Sequence, residues 1–310
     1  MRRTIPKRLV LLLLLAAIPA GPARVSRAAP PDPAPEAGWT ALDEILGQSG
    51  RNLPGGVHRY GWPRTDLHVS LAGISIEPAL ALGSWAAFQA TGNGDEAVAM
   101  GDLVLLGSEV NAVVGELHSN GMDVLAIHNH LIDESPRVVY VHFYGRGEAA
   151  ALARSVKATL QKTRTPLASA PPRTPVKPSP SDEKAFEAIQ TVLGRRGSLA
   201  GKVLQFSIPR AEKIEEGGME IPPGMGVATA VNFQLAGSRA ATTGDFVLVA
   251  DEVNPVIREL AANGIAATAL HSHMLREEPR LFFLHFWGVG GPDKVAHGIR
   301  AALEKVATHP

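Results

Sequence analysis

The feature that most constrains the fold of this chain is an internal repeat. Residues 101–145 and 244–288 align without a gap at a constant offset of 143, and 21 of these 45 positions are identical. Upstream, the segment 67–73 is aligned with 204–210 as the corresponding strand. Two copies are too few for a solenoid. We therefore predict two tandem pseudo-symmetric lobes, and 310 residues suffice for a core in each.

Composition along the chain predicts where the two repeats begin and end. A basic start followed by the apolar run 9–17 is typical of a signal peptide, and the run is shorter than the ~20 residues of a membrane-spanning helix. Two segments rich in proline are typical of extended linkers. The expected organisation is a signal peptide (1–28), a flexible tether (29–39), the first repeat (40–162), a Pro-rich linker (163–181) and the second repeat (182–310).

The signal peptide predicts an exported protein, either periplasmic or secreted, that keeps no stable membrane anchor after cleavage. The chain has no cysteine, which excludes disulfides, thiolate metal ligands and lipid attachment to a cysteine. Its 30 basic and 30 acidic residues give no positive field, so nucleic acid is excluded as an expected partner. The partner expected instead is a small polar ligand or a component of the cell envelope.

Each repeat shows the same order of hydrophobic patterns: a helix, alternating strands, a second helix, a hairpin and a closing helix. This order predicts an α+β fold, in which each lobe is a mainly antiparallel sheet packed with helices. The expected helices are 41–46, 109–119 and 147–161 in the first copy and 183–193, 252–262 and 293–306 in the second. The expected hairpin of the first copy joins 124–131 to 137–144.

Two pairs of polar residues receive a structural interpretation. Asn254 precedes a proline, which favours an N-cap followed by proline in the first helical position, and Asn111 holds the same place in the first copy. Asp102 and Asp245 each follow a glycine at the expected start of a strand, a setting typical of a turn. Neither pair is predicted to belong to a functional site.

The candidate functional residues are the histidines of the repeated hairpin, which holds six of the 11 histidines in the chain. Alternate residues of a strand share a face, so His128 and His130 point the same way, and His142 is expected opposite one of them. Glu134, at the turn, could join these three rings. The second copy repeats the set with His271, His273, Glu277 and His285.

Three imidazoles with one carboxylate suit a divalent metal such as zinc or manganese. An open coordination position could activate water, with Glu134 or Glu277 as a ligand or general base. Two other interpretations stay open. The histidines could bind a small polar ligand without metal, or they could form a structural network in a non-catalytic cell-envelope protein that binds a glycan or another protein.

Several longer segments resemble the LppY/LpqO family, a bacterial exported domain of unknown function built of two related halves. The matching segments are PALALGSWAAF (78–88), GDLVLLGSEVN (101–111), HNHLIDESPRVVYVHF (128–143), GDFVLVADEVNPV (244–256) and EEPRLFFLHFWG (277–288). The resemblance implies export but no known reaction. The chain departs from the family pattern in having no lipobox cysteine, and Ser272 stands where the pattern has Asn.

Overall fold

The computed structural model describes residues 39–167 and 178–309. It confirms the predicted α+β class, with two lobes that each contain a six-stranded antiparallel sheet and packed helices. The predicted signal peptide, the tether up to residue 38 and the middle of the Pro-rich linker lie outside the described residues. Within the described ranges, every helix is too short or too polar to cross a membrane.

The first lobe carries one six-stranded sheet and a short two-stranded arm. Its helices are α1 (Thr40–Leu46), α2 (Pro78–Ala81), α3 (Val110–Ser119) and α4 (Ala149–Leu160). Its strands are β1 (Arg51–Leu53), β2 (Val57–Pro63), β3 (Ser70–Leu71), β4 (Ile74–Ser75), β5 (Gly83–Ala90), β6 (Glu96–Leu106), β7 (Asp123–His128) and β8 (Val138–Glu148). The sheet order is β1-β2-β5-β6-β8-β7. Helices α1, α3 and α4 form a core with its outer face.

The second lobe repeats this arrangement. Its helices are α5 (Pro180–Leu193), α6 (Ala250–Ala262) and α7 (Pro292–Leu303), with a 3-10 turn at Pro223–Met225. Its strands are β9 (Ser198–Ala200), β10 (Val203–Pro209), β11 (Glu215–Glu216), β12 (Met219–Glu220), β13 (Ala228–Ala236), β14 (Arg239–Leu248), β15 (Ala266–His271), β16 (Glu277–Glu278) and β17 (Phe282–Gly290). The sheet order β9-β10-β13-β14-β17-β15 matches that of the first lobe.

The predicted helices agree with the observed ones to within three residues at each end. Glycine explains two of these ends, because α1 and α5 both stop at a left-handed residue, Gly47 (φ 73°) and Gly194 (φ 65°). The upstream alignment was wrong. Strand β10 occupies the place of β2 in the sheet order, whereas segment 67–73 contributes only the short strand β3.

The predicted N-cap roles of Asn111 and Asn254 were also wrong. Helix α6 begins at Ala250, so Pro255 lies inside it, and Asn111 is the second residue of α3. Instead, a glutamate at each helix start accepts a hydrogen bond from the backbone N–H three residues before it. Glu109 accepts a hydrogen bond from the backbone N–H of Leu106 (2.8 Å), and Glu252 accepts one from the N–H of Val249 (2.9 Å).

The two sheets pack face to face, with helices on the outside. Alternation along each strand sends one set of residues to the helices and the other to the opposite lobe. Two apolar clusters combine residues of both lobes: one includes Met100 and Phe283, and the other includes Tyr140 and Val203. The fold is therefore four layers deep, and the inner faces of the two sheets share one interior.

Each lobe also extends an arm across the other lobe. The first arm (β3, β4 and α2) lies on the second sheet, where Gln205 and Gln234 donate side-chain hydrogen bonds to the carbonyls of Ala79 and Ser75, both at 2.8 Å. The second arm (β11, β12 and the 3-10 turn) reaches back, and Arg59 donates to the carbonyl of Gly224 at 3.0 Å. This reciprocal exchange ties the lobes together by hydrogen bonds from side chains to backbone carbonyls as well as by apolar contact.

A buried arginine binds the glutamate at the start of α3 in the first lobe and of α6 in the second. Arg64 is fully buried and donates to Glu109 (2.8 Å), Asp66 (2.9 Å) and the carbonyl of Val104. Arg210 makes the corresponding contacts in the second lobe, with Glu252, Glu212 and the carbonyl of Val247. Since the arginine is buried, removal of the glutamate at the helix start leaves its charge in the interior with only one of its two carboxylate partners.

We expect Glu109→Ala to lower the free energy of unfolding by about 3–5 kcal/mol, because it removes one of the two carboxylates that pair with the buried Arg64 and also the acceptor of the Leu106 N–H. Denaturant titration followed by circular dichroism measures this change. The matched control is Glu148→Ala, whose carboxylate pairs with Arg154 on the surface with both side chains more than half exposed, and it should change stability by less than ~1 kcal/mol. Equal effects of the two variants would contradict this account of the ion pair.

Candidate metal centre

The centre of the inner face holds an aspartate and a histidine from each repeat, side by side on neighbouring strands. In the first lobe, Asp102 on β6 is paired in register with His142 on β8. In the second lobe, Asp245 on β14 is paired with His285 on β17. All four point toward the opposite sheet, because the residues that flank them in sequence face the helices.

The close approach of the neighbouring strand requires a glycine before each aspartate. A Cβ atom on Gly101 would collide with the backbone carbonyl of Trp85, and one on Gly244 with the carbonyl of Ala230. Only glycine therefore allows the neighbouring strand to approach this closely. The Gly-Asp pair is thus an interior strand feature, and the predicted turn at Asp102 and Asp245 was wrong.

The remaining histidines lie at the ends of the edge strands β7 and β15. His128 ends β7 and stands opposite Tyr140, while His142 stands opposite Ala126, so the predicted direct cross-strand pairing was wrong. A β-bulge between Val124 and Ala126 shifts the register. The rings nevertheless meet: those of His128 and His130 are 5.1 Å apart between centroids, and those of His128 and His142 are 5.0 Å apart.

The histidines of the two repeats form one cluster, whereas the sequence predicted one site per repeat. Ring centroids of His128 and His271 are 3.7 Å apart, those of His130 and His285 are 3.8 Å apart, and those of His142 and His273 are 3.6 Å apart. The rings of the two copies interleave because the inner faces of the two sheets pack on each other. We call these six residues with Asp102 and Asp245 the histidine cluster.

The polar atoms of the histidine cluster are buried and largely without partners. The Nε2 atoms of all six histidines and the Oδ1 atoms of both aspartates are buried and make no hydrogen bond to any residue of 39–167 or 178–309. Three rings have their other nitrogen within reach of a backbone carbonyl: Nδ1 of His128 at 3.2 Å from Asn129, that of His271 at 3.4 Å from Ser272, and that of His285 at 3.0 Å from Gly244. A proton on Nδ1 leaves the lone pair of Nε2 free to bind a metal.

Burial sets the charge of the histidine cluster. It lowers the pKa of all six histidines, with further lowering by neighbouring imidazoles for five of them, and brings the pKa of His128 to about 3. Burial raises the pKa of Asp102 to about 8, against the opposing charge of Arg59, and raises the pKa of Asp245 well above its ordinary value. The imidazoles are therefore neutral near pH 7, which is the form that binds metal ions.

Ring nitrogens of the histidine cluster have the spacing of metal ligands. One atom from each of His128, His130 and His142 lies within 4.8 Å of the others, and the same holds for the group His128, His271, His273 and His285. Two ligands of one ion at bonds of ~2.0–2.1 Å are at most about 4.2 Å apart. Small ring rotations would therefore bring either group into bonding distance.

Glu134 and Glu277 lie at the turn rather than among the rings. An oxygen of Glu134 accepts a hydrogen bond from the backbone N–H of Val138 at 3.1 Å. An oxygen of Glu277 accepts one from the N–H of Leu281 at 2.9 Å and pairs with Arg280 at 3.2 Å. Their role as ligand or general base stays a prediction, and the structure gives both a part in shaping the turn.

The carboxylates beside the rings are Asp102 and Asp245, which were expected in a turn and not in the site. Asp102 lies 3.7 Å from His130 and 3.6 Å from His142, measured between side-chain oxygen and nitrogen. Asp245 lies 3.8 Å from His273 and 4.0 Å from His285. The sequence did contain a signal for this role. Each aspartate interrupts an apolar strand, and Asp102 and Asp245 are related by the same offset of 143 as the paired histidines.

The chain belongs to a family known only as a domain of unknown function (DUF1259). The family model matches it twice, over residues 40–162 and 187–305, which covers both repeats. None of the curated proteins matches the chain significantly. Among solved structures the chain is similar to crystal form I of TP0453, with 12% sequence identity over 70% of this chain and 79% of that one. The TM-score of 0.15 is too low for any conclusion on fold or function.

We expect the metal-free protein to lose stability as the pH falls below about 6.5, the ordinary pKa of histidine. The pKa of each cluster histidine is lower in the folded chain, so the unfolded chain takes up protons that the folded one does not, and acid favours unfolding. The raised pKa values of the two aspartates act in the opposite sense, but six histidines outnumber them.

Denaturant titration in EDTA at pH 7.5, 6.0 and 5.0 measures this loss. The double variant His142→Gln/His285→Gln removes two of the titrating groups and should reduce the difference in stability between pH 7.5 and pH 5.0. The matched control is His297→Ala, whose side chain is 65% exposed on α7, and it should leave the pH dependence unchanged. A wild-type stability that is flat over this range would contradict the prediction.

Proposed function

We propose that this protein binds a divalent metal ion, zinc or manganese, at the histidine cluster formed jointly by its two repeats. The observation that carries the proposal is the set of six buried Nε2 atoms without a hydrogen-bond partner. A buried polar atom left unsatisfied costs about 1–3 kcal/mol. Six such atoms in one place are costly unless a bound cation accepts their lone pairs.

The ligand chemistry favours zinc first. Neutral imidazole is a preferred ligand of zinc, and a nearby carboxylate completes the set that zinc binds in proteins. Manganese is the second candidate, because it accepts both imidazole and carboxylate. His128 and His271 are only half-buried, so solvent or a small polar ligand could reach an open coordination position from their side of the histidine cluster.

A structural network of histidines, the alternative for a non-catalytic envelope protein, is less well supported. In such a network each ring would bond through both nitrogens to carbonyls, carboxylates or other rings. Here the rings stack on one another and on Tyr140 and Phe283, while their Nε2 atoms make no hydrogen bond. Stacking accounts for the contact between the rings but leaves these nitrogens unexplained.

Metal analysis of the purified protein tests the proposal. We expect metal-free protein to regain zinc or manganese stoichiometrically after add-back, measured by plasma mass spectrometry following removal of free metal. His128→Ala should weaken binding by at least ~10–100-fold, since loss of a direct ligand costs no less than loss of the groups that support one. His128 is the ligand common to both groups of ring nitrogens, and it is not deeply buried.

The matched control is again His297→Ala, which removes an exposed histidine outside the histidine cluster. It should bind metal as the wild type does. Wild-type protein that takes up no metal after add-back would refute metal binding. The same would follow if His128→Ala and wild type bound equally well, because the metal would then sit elsewhere on the chain.

We also propose that the protein is exported, as in the LppY/LpqO proteins that its motifs resemble. The basic N-terminal residues followed by an apolar run support this. Expression of the full chain in a bacterial host should yield a shortened product in the periplasm or medium, with a new N-terminus near residue 29 by peptide sequencing. Full-length protein found only in the cytoplasm would contradict export.

A further inference from the structure

We infer that the histidine cluster holds two metal ions, one bound by the three histidines and the aspartate of each repeat. This inference rests on the proposed function and adds its stoichiometry and its carboxylate ligands. The first ion is assigned to His128, His130, His142 and Asp102. The second ion is assigned to His271, His273, His285 and Asp245.

The number of unpartnered nitrogens exceeds what one ion can bind. Zinc in proteins takes four ligands in most structural sites and three protein ligands in catalytic ones. A single ion would therefore leave at least two of the six buried Nε2 atoms, and both aspartates, without a partner. Two ions with three imidazoles each leave none of these nitrogens unbound.

The position of Asp102 matches a ligand of the same ion as its neighbouring rings. Asp102 approaches Nε2 of His130 and His142 at 3.7 and 3.6 Å, beyond the range of a hydrogen bond. Ligands of one ion at bonds of ~2.0–2.2 Å are separated by roughly 3–4 Å. In the second repeat Asp245 lies beside Nδ1 atoms instead, 3.8 Å from that of His273 and 4.0 Å from that of His285, so its assignment rests on its match to Asp102 at the offset of 143. Each aspartate is near rings of its own repeat, which assigns it to one trio.

The symmetry of the fold supports a pair of ions. The two groups of ring nitrogens share only His128, so each repeat supplies a separate trio, and the trios are related by the offset of 143. Any set of ligands present in one repeat is therefore present in the other. The stacked contacts of 3.6–3.8 Å between rings of different repeats place the two trios next to each other.

The experiment measures stoichiometry on the full chain with zinc and with manganese as probes. Native mass spectrometry and plasma mass spectrometry should both give two ions per chain at saturation. Asp102→Asn and Asp245→Asn keep the shape of the side chain but remove its charge, and each should lower the bound number from two to one. Asp123→Asn changes an exposed aspartate on β7 and is the matched control, which should keep two ions.

A second measurement does not depend on any variant. Wild-type chain loaded with manganese should show the electron paramagnetic resonance spectrum of an exchange-coupled pair. One ion per chain with an isolated six-line manganese spectrum would overturn this inference and leave the proposed function standing. Asp→Asn variants that are folded by circular dichroism and still bind two ions would overturn the carboxylate assignment. No metal at all would refute the proposed function, and this inference with it.

Discussion

The packing of the two inner sheet faces on each other is the constraint on which the rest of this structure depends. The longer helices of each lobe cover the outer face of its own sheet, so each repeat would expose a wide apolar surface if it stood alone. Two mixed apolar clusters and the reciprocal arms close that surface. The lobes predicted as two units therefore share one interior, and the histidine cluster lies between its two apolar parts.

That interior is a costly place for eight polar side chains. Burial lowers the pKa of the six imidazoles, which stay neutral there. It raises the pKa of the two aspartates and so favours their protonated form. Neutral rings with unbonded nitrogens still lose their hydration when buried, and they recover little from stacking. A cation would reverse this balance, because it binds the free lone pairs and favours the charged form of the carboxylates. The same burial that makes the metal-free cluster unfavourable would thus make it a strong ligand set.

Much of the fold could be predicted from the sequence, because helix ends and the repeat are local or periodic signals. Gly47 and Gly194 mark helix ends, and the ungapped offset predicts two equal lobes. The histidines were identified as candidates, but their merging was not, since the contact between inner faces depends on apolar residues far apart in sequence. The prediction for Asp102 was wrong because strand β6 was expected to start only at Gly101. The strand in fact begins at Glu96, so Asp102 lies in its interior and not at its end.

Because the chain is duplicated, the two repeats can be compared to see which residues of the histidine cluster are the same in both. All six histidines and both aspartates are matched between the repeats, and each histidine ring contacts a ring of the other repeat. Asn129 and Ser272, which follow the first histidine of each copy, differ. Both side chains donate to the carbonyl two residues on, yet only Asn129 also reaches Thr268 of the other repeat. The pseudo-twofold symmetry is thus kept at the centre of the cluster and relaxed at its edge, as expected if the matched residues share a common ligand set.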